Sequence, residues 1–224
     1  MMPTIHLVDD DASFLRSMAR LLSVSGYRVF THDSADAFLG HEARTAPGCV
    51  LTDLQMPGKT GLDLQAELAA SDHPMPVVFL TGRGDIPTSV RAMRGGAEDF
   101  LMKRASKEEL LDAIERALER DRRQRAARSI ADETCKAISG LSLRERQVLA
   151  GVVRGLLNKQ IADELGVAER TVKLHRTTLT RRLGISSPAQ LALLIERAGI
   201  SLRDLAPTLV FLEGGRNRTM ERKR

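Results

Sequence analysis

The chain has 224 residues, 42% of them hydrophobic and 28% charged, with only two cysteines, Cys49 and Cys135. That excludes a disordered chain, a disulfide framework and a Cys-based zinc site, and leaves one to two ordinary domains with real cores. The net charge of +5 hides a split: residues 1–120 hold 13 basic and 18 acidic side chains (net −5), residues 121–224 hold 21 and 11 (net +10). Two modules with different partners follow, the second facing a polyanion. Aromatics at 3% with no Trp argue against stacking-based binding of single strands or RNA. The N-terminus has neither a basic start nor a long apolar run, so a cytoplasmic protein without a membrane partner is expected.

In chain order, β-like runs at 5–8, 28–30, 49–52, 77–80 and 99–102 alternate with segments of helical spacing. One segment carries Phe14, Leu15, Met18, Leu21 and Leu22; another Leu62, Leu64 and Leu68; a third Leu110, Leu111, Ile114 and Leu118. Pro3, Pro47, Pro57, Pro76 and Pro87 punctuate the joints. The alternation predicts an α/β fold, a doubly wound five-stranded parallel sheet ending near residue 119. Residues 119–128 are almost all charge and alanine, a helix running on as a solvated linker that loosens toward residue 137. Beyond it, 141–198 read as four short helices broken at Gly155, Gly166 and 184–188, a small all-α unit. The apolar run 209–212 is a surface for docking or local packing, and the basic stretch 214–224 reads as a solvated tail, with a DNA-contacting arm as the alternative.

In an open parallel sheet, chemistry gathers at the carboxyl ends of the strands. Asp9 and Asp10 follow the first strand, Asp53 the third, Thr81 the fourth and Lys103 the fifth. Singly, each is an ordinary turn residue or cap. Together they form a pocket in which three carboxylates require a shared cation, and the hydroxyl and ammonium suit the oxygens of a phosphoryl group. Leu7-Val8-Asp9-Asp10, the stretch from Leu51 through Asp53 to Met56-Pro57 and Gly61, Leu80-Thr81-Gly82, and Asp99-Phe100 with Lys103 resemble the receiver domain of two-component response regulators. The resemblance implies a CheY-like fold and phosphoryl transfer to Asp53 from a histidine kinase. It also implies Mg²⁺ held by Asp10, Asp53 and the backbone carbonyl of Gln55, with Asp9 acting through water. Lys103 would pair with the acyl phosphate, and Thr81 and Phe100 would be the switch pair. The family usually has Pro after the lysine; Arg104 stands here. This predicts a trans or strained bond and a slower activation response. Gln55 and Arg83 lie beside the path of a hydrolytic water and are expected to affect the lifetime of the phosphoryl group.

Residues 158–183 read as helix, glycine turn, helix: Ile161, Ala162 and Leu165 share one face, Gly166 makes the turn, and Val172, Leu179 and Leu183 face inward on the second helix. Arg170, Lys173, Leu174 and Thr177 share the opposite face, as a recognition helix entering a major groove requires. Asn158, Lys159, Arg181 and Arg182 are better placed for phosphates, and His175 borders the buried side. The stretch from Leu141 through Glu145 to Leu149, then Gly155, Asn158-Lys159 and Thr171-Val172-Lys173-Leu174-His175 resemble the LuxR-type DNA-binding domain. With the receiver, this resembles the NarL/FixJ family, nearest its FixJ branch. The DNA-contacting set so implied also includes Thr171, His175 and Arg176.

The resemblance implies a receiver over 1–119, a linker over 120–138, a LuxR-type domain over 139–200 and an extension over 201–224. The expected function is a phosphorylation-controlled, sequence-specific transcription regulator, an activator by family habit. Its partners are a histidine kinase, an operator in duplex DNA and RNA polymerase, with homodimers formed on phosphorylation through residues 87–119. An unphosphorylated receiver covering the recognition helix is a further expectation. Two alternatives stand: a phosphorylation-independent regulator using the receiver as a dimerisation or ligand module, and a hydrolase with an aspartyl-phosphate intermediate. Against the hydrolase, Leu54 and Gln55 stand where a second acid/base carboxylate would follow Asp53. The bulk of the chain's chemistry is therefore expected to be regulatory, not that of a turnover enzyme.

Overall fold

The apolar runs at 5–8, 49–52 and 77–80 fold here as strands covered on both faces. A computed structural model describes residues 2–82, 85–185, 187–201 and Leu205. Arg83, the run 209–212 and the tail 214–224 therefore lie outside the described residues, as does Ser186 in the predicted break. Strands β1 (Thr4–Val8), β2 (Arg28–His32), β3 (Gly48–Thr52), β4 (Val77–Thr81) and β5 (Asp99–Met102) form one parallel sheet in the order β2-β1-β3-β4-β5. Alternate residues point to opposite faces. Ile5, Leu7, Leu51, Val78 and Leu80 pack with helices α1 (Ala12–Val24) and α5 (Lys107–Ser139). Val8, Val50, Val77 and Phe79 pack with α2 (Ala35–Leu39), α3 (Gly61–Ala69) and α4 (Ile86–Arg94). Each such side chain contributes about 1.5–3 kcal/mol by leaving water. The strand order reverses between β1 and β3, which opens a crevice at their carboxyl ends.

Local polar residues fix where helices begin. The Asp11 carboxylate accepts from the N–H groups of Ser13 and Phe14 at 2.8 and 3.1 Å and starts α1. A Thr60–Asp63 capping box starts α3. The linker differs from the loosening predicted for it, since α5 is one helix of 33 residues through Ser139. Alanine and arginine are strong helix formers, and Glu119 pairs with Arg122 and Arg123 along the helix. The chain divides into two units at Arg125 and Ala126, within this helix.

In the second unit, α6 (Leu143–Val153), α7 (Asn158–Leu165), α8 (Glu169–Leu183) and α9 (Pro188–Arg197) follow the end of α5. Val148, Leu149, Ile161, Val172 and Leu179 form the centre of their core, which also takes in Ile138 of α5 and Leu205. Gly166, at φ 64°, closes α7 in the left-handed conformation and lets the chain turn directly into α8. No helix among the described residues is long and apolar enough to cross a membrane.

Candidate functional site

The first site lies at the crevice between β1 and β3. Asp9 leaves β1 with 2% of its surface exposed, Asp10 beside it is exposed, and Asp53 follows β3 half-buried. Carboxylate oxygens of all three lie within 4.8 Å of one another. Lys103, after β5, reaches in and places Nζ 2.6 Å from Asp9 Oδ2 and 3.0 Å from Asp53 Oδ2. The other oxygen of Asp53 accepts from the N–H of Leu54 at 2.6 Å. The backbone N–H of Asp11 donates to Asp9 Oδ1 at 2.9 Å.

Burial raises the Asp9 carboxyl above its usual range, more than the Lys103 hydrogen bond lowers it. Burial opposes the Lys103 ammonium as well, yet its hydrogen bonds to Asp9 and Asp53 carry its pKa upward. The lysine therefore stays charged and shared. Asp9 Oδ2 is buried with that ammonium, 2.6 Å away, as its neighbour. A buried lone pair of this kind, beside two further carboxylates, is a donor set that suits a hard divalent cation.

Thr81 ends β4 with 2% exposure, and its carbonyl accepts from the Lys103 N–H at 2.8 Å. Phe100 is half-buried on β5, in register with Phe79, and the two rings lie 5.9 Å apart. Thr81 and Phe100 therefore face the same side of the sheet on neighbouring strands. Gln55 is exposed in the loop after Asp53. The bond from Lys103 to Arg104 is trans, the first of the two outcomes expected there.

Two contacts at the pocket leave no trace in the residue pattern. The Lys103 ammonium sits 4.5 Å from the centre of the Phe14 ring, which the helical pattern assigned to the core alone. Gly61 opens α3 so close to the pocket that a Cβ there would stand 2.2 Å from the Asp53 carbonyl oxygen. The Gly61→Ala variant is expected to lose about 1–3 kcal/mol of stability and to shift the Asp53 loop. Urea denaturation together with the rate of phosphorylation from a small donor checks this; an unchanged midpoint and rate would refute it.

The second site is the outer face of α8. Arg170, Lys173, Leu174, Thr177 and Arg181 are exposed along it, while Val172 and Leu179 are buried. Leu174 is 66% exposed, an apolar side chain left in water on an otherwise polar row. Thr171, His175 and Arg176 are half-buried at its margins, and Lys159 is exposed on α7. Arg176 donates to the Asn158 side chain at 2.7 Å, tying α8 to the start of α7. Arg182 reaches Glu145, the capping residue of α6, at 3.3 Å. Asn158 and Arg182 thus hold intramolecular partners that a nucleic-acid phosphate would have to displace.

Known proteins resemble both halves. Residues 5–115 match the family described as response regulator receiver domain, and residues 139–195 match bacterial regulatory proteins of the luxR family. Nodulation protein W of Bradyrhizobium diazoefficiens is 41% identical over 206 residues, covering 92% of this chain and 91% of that protein. The transcriptional regulatory protein FixJ of Azorhizobium caulinodans is 40% identical over 200 residues, 89% of this chain and 95% of that one. Among solved structures, the response regulator StyR superposes with a TM-score of 0.74 at 44% identity, covering 88% of this chain and all of that one.

Proposed function

Because this chain belongs to the response regulators that join a receiver domain to a LuxR-type DNA-binding domain, and so is a two-component transcription regulator, we propose that phosphoryl transfer from a histidine kinase to Asp53 sets its DNA affinity. The observation that carries this reading is the Lys103 ammonium shared by Asp9 and Asp53 at the mouth of the β1/β3 crevice. A carboxylate attacking a phosphoryl group is an anion approaching an anion, so the chemistry needs positioning and charge neutralisation more than acid or base catalysis.

Asp53 is held for that attack by the Leu54 N–H on one oxygen and by Lys103 on the other. An Asp53 oxygen bonds to phosphorus as the P–N bond to the kinase imidazole breaks, and the electron pair leaves with the imidazole. Asp10, Asp53 and the Gln55 carbonyl would hold Mg²⁺, with Asp9 acting through water, and the ion when bound supplies neutralisation of the phosphoryl oxygens. Lys103 then pairs with the new phosphoryl oxygens. The Thr81 hydroxyl moves to meet them, and Phe100 turns inward on the same side of the sheet. The surface formed by α4, β5 and the start of α5 is thereby reshaped into a dimerisation face.

Two copies bring two α8 helices to paired half-sites, and the second contact becomes intramolecular. On that helix Arg170, Thr171, Lys173, Leu174 and Thr177 meet the base edges. Asn158, Lys159, His175, Arg176, Arg181 and Arg182 hold the phosphate backbone. The output is transcriptional activation through RNA polymerase, in the cytoplasm.

Incubating the full chain with a small phosphodonor and Mg²⁺ is expected to add one phosphoryl group by mass and to raise operator affinity roughly 5–150-fold. The Asp53→Ala variant is expected to lose both responses. A variant that still gains operator affinity would point to the phosphorylation-independent reading. A chain that releases phosphate from a monoester with multiple turnovers would point to the hydrolase.

A further inference from the structure

Three histidines converge on the first unit away from the acidic pocket. His6 lies in the middle of β1, His32 ends β2, and His41 joins α2 to a 3₁₀ turn at Glu42–Thr45. His6 and His32 are 0% and 5% exposed, and His41 is half-buried at the edge of the cluster. His6 Nδ1 lies 3.0 Å from His32 Nε2, and one ring nitrogen from each of the three residues falls within 4.8 Å of the others. His6 Nε2 is fully buried without a well-formed hydrogen bond, the ring sensing only the Ala43 backbone and the neighbouring histidines. Buried polar atoms are almost always paired, so this one is a lone pair or a proton kept waiting for something.

We propose that His6, His32 and His41 form a binding site for a borderline divalent metal ion of the zinc type. Imidazole nitrogens suit such ions and are poor partners for Mg²⁺ or Ca²⁺. Three histidines leave a fourth position for water, as in three-ligand zinc sites. With bonds of about 2.0–2.1 Å a tetrahedral ion sets its ligands roughly 3.3 Å apart. His6 Nδ1 and His32 Nε2 stand near that spacing in a hydrogen bond, which an ion held by these two atoms would replace. Closure falls to His41, which sits on a joint and not in a strand, and which also provides the way in from solvent.

Binding changes what His41 does. Its Nδ1 accepts from the Ala43 N–H at 3.2 Å and so caps the 3₁₀ turn. A neutral ring that accepts at Nδ1 carries its proton on Nε2, so coordination through either nitrogen gives up this cap. At the far end of that turn, the Thr45 and Ala46 carbonyls accept from Arg125 of α5 at 2.9 and 2.7 Å. The metal site is thus connected through one short turn to the helix that runs on into the second unit.

Titration of the full chain with Co²⁺, in buffer saturated with Mg²⁺ to fill the acidic pocket, tests the proposal. The expected result is a visible absorption typical of tetrahedral Co²⁺, saturating at one ion per chain and removed by Zn²⁺. The His41→Ala variant is expected to weaken this binding at least about 10-fold, and loss of the Ala43 amide's protection from exchange should accompany metal binding to the parent chain. The exposed His73, changed to Ala, should leave it unaltered. The His32→Phe variant, which keeps an aromatic ring in the cluster, should lose the absorption while retaining its helical circular dichroism. Absence of the absorption in the parent chain, or an equal signal in a folded His41→Ala variant, overturns the site.

Discussion

Replacing Asp121 by Ala is expected to destabilise the first unit by about 2–4 kcal/mol. Asp121 lies on α5 with 2% exposure. Its Oδ2 accepts from the Gly48 N–H at 3.0 Å and its carboxylate from Arg125 Nε at 2.8 and 2.9 Å. Gly48 begins β3 hard against β1, where a Cβ would stand 2.0 Å from the Thr4 carbonyl oxygen. Truncating Asp121 leaves the Gly48 N–H buried without its acceptor. It also frees Arg125, which then holds the Thr45 and Ala46 carbonyls without its own anchor. Asp121→Asn keeps one acceptor and the side chain's shape, so its loss should be about half as large or less. The chain contains one tyrosine and no tryptophan. Tyr27, half-buried between α1 and β2, therefore reports unfolding of the first unit alone. Urea denaturation followed by its fluorescence measures the effect; midpoints shared by Asp121→Ala and the parent chain would show the clamp to be energetically idle.

The second large effect is a loss of stability on mild acidification. Burial pushes both His6 and His32 down to about 4 from an ordinary value of 6.5, and the positive charge that neighbouring histidines would carry adds to it. Between those values the unfolded chain binds protons that the folded chain refuses. Stability from this source is therefore complete above pH 6.5 and lost as pH falls toward about 4. Each group alone accounts for about 3 kcal/mol at 1.36 kcal/mol per pH unit, and the stacked pair together for about 3–6 kcal/mol. Asp9 works the other way, since a carboxyl raised by burial favours the folded state in acid and offsets part of the loss. His32→Phe is expected to flatten the decline between pH 6.5 and 4.5 by about half. Tyrosine-monitored urea midpoints at several pH values decide the matter; parallel curves for variant and parent would assign the acid sensitivity elsewhere.

Strands β1, β3 and β4 were legible because a strand buried on both faces is apolar at nearly every position, and few helices have that pattern. The acidic pocket was legible for a related reason: Asp9, Asp10, Asp53 and Lys103 each stand at the carboxyl end of a run, and the parallel topology brings those ends together. The helix–turn–helix pair α7 and α8 showed itself through Gly166 and the charged row after it. The Asp121–Gly48 contact spans 73 residues and leaves no local trace, since a charged residue in an Arg-rich helix looks solvated whichever way it points. The histidines are similar. His6 sits within an apolar run and His32 ends another, and only the adjacency of β1 and β2 makes them neighbours. A titratable residue inside an otherwise apolar strand was the one available signal. The length of α5 went further than its composition suggested because Ile138, near its end, is drawn into the second core.

A helix that belongs to two cooperative bodies has only one nucleus to form. Nucleation carries a factor of about 10⁻³, about 4 kcal/mol, and each unit on its own would have to meet that cost for its part of α5. Severing the chain at Arg125 creates two helix ends where the intact protein has none, with four carbonyls and four N–H groups stripped of partners. A fragment begun at residue 139 loses Ile138 as well. Melting of either unit is accordingly expected to propagate as fraying into the other's share of α5, so separately expressed halves would each look less stable than they are when joined.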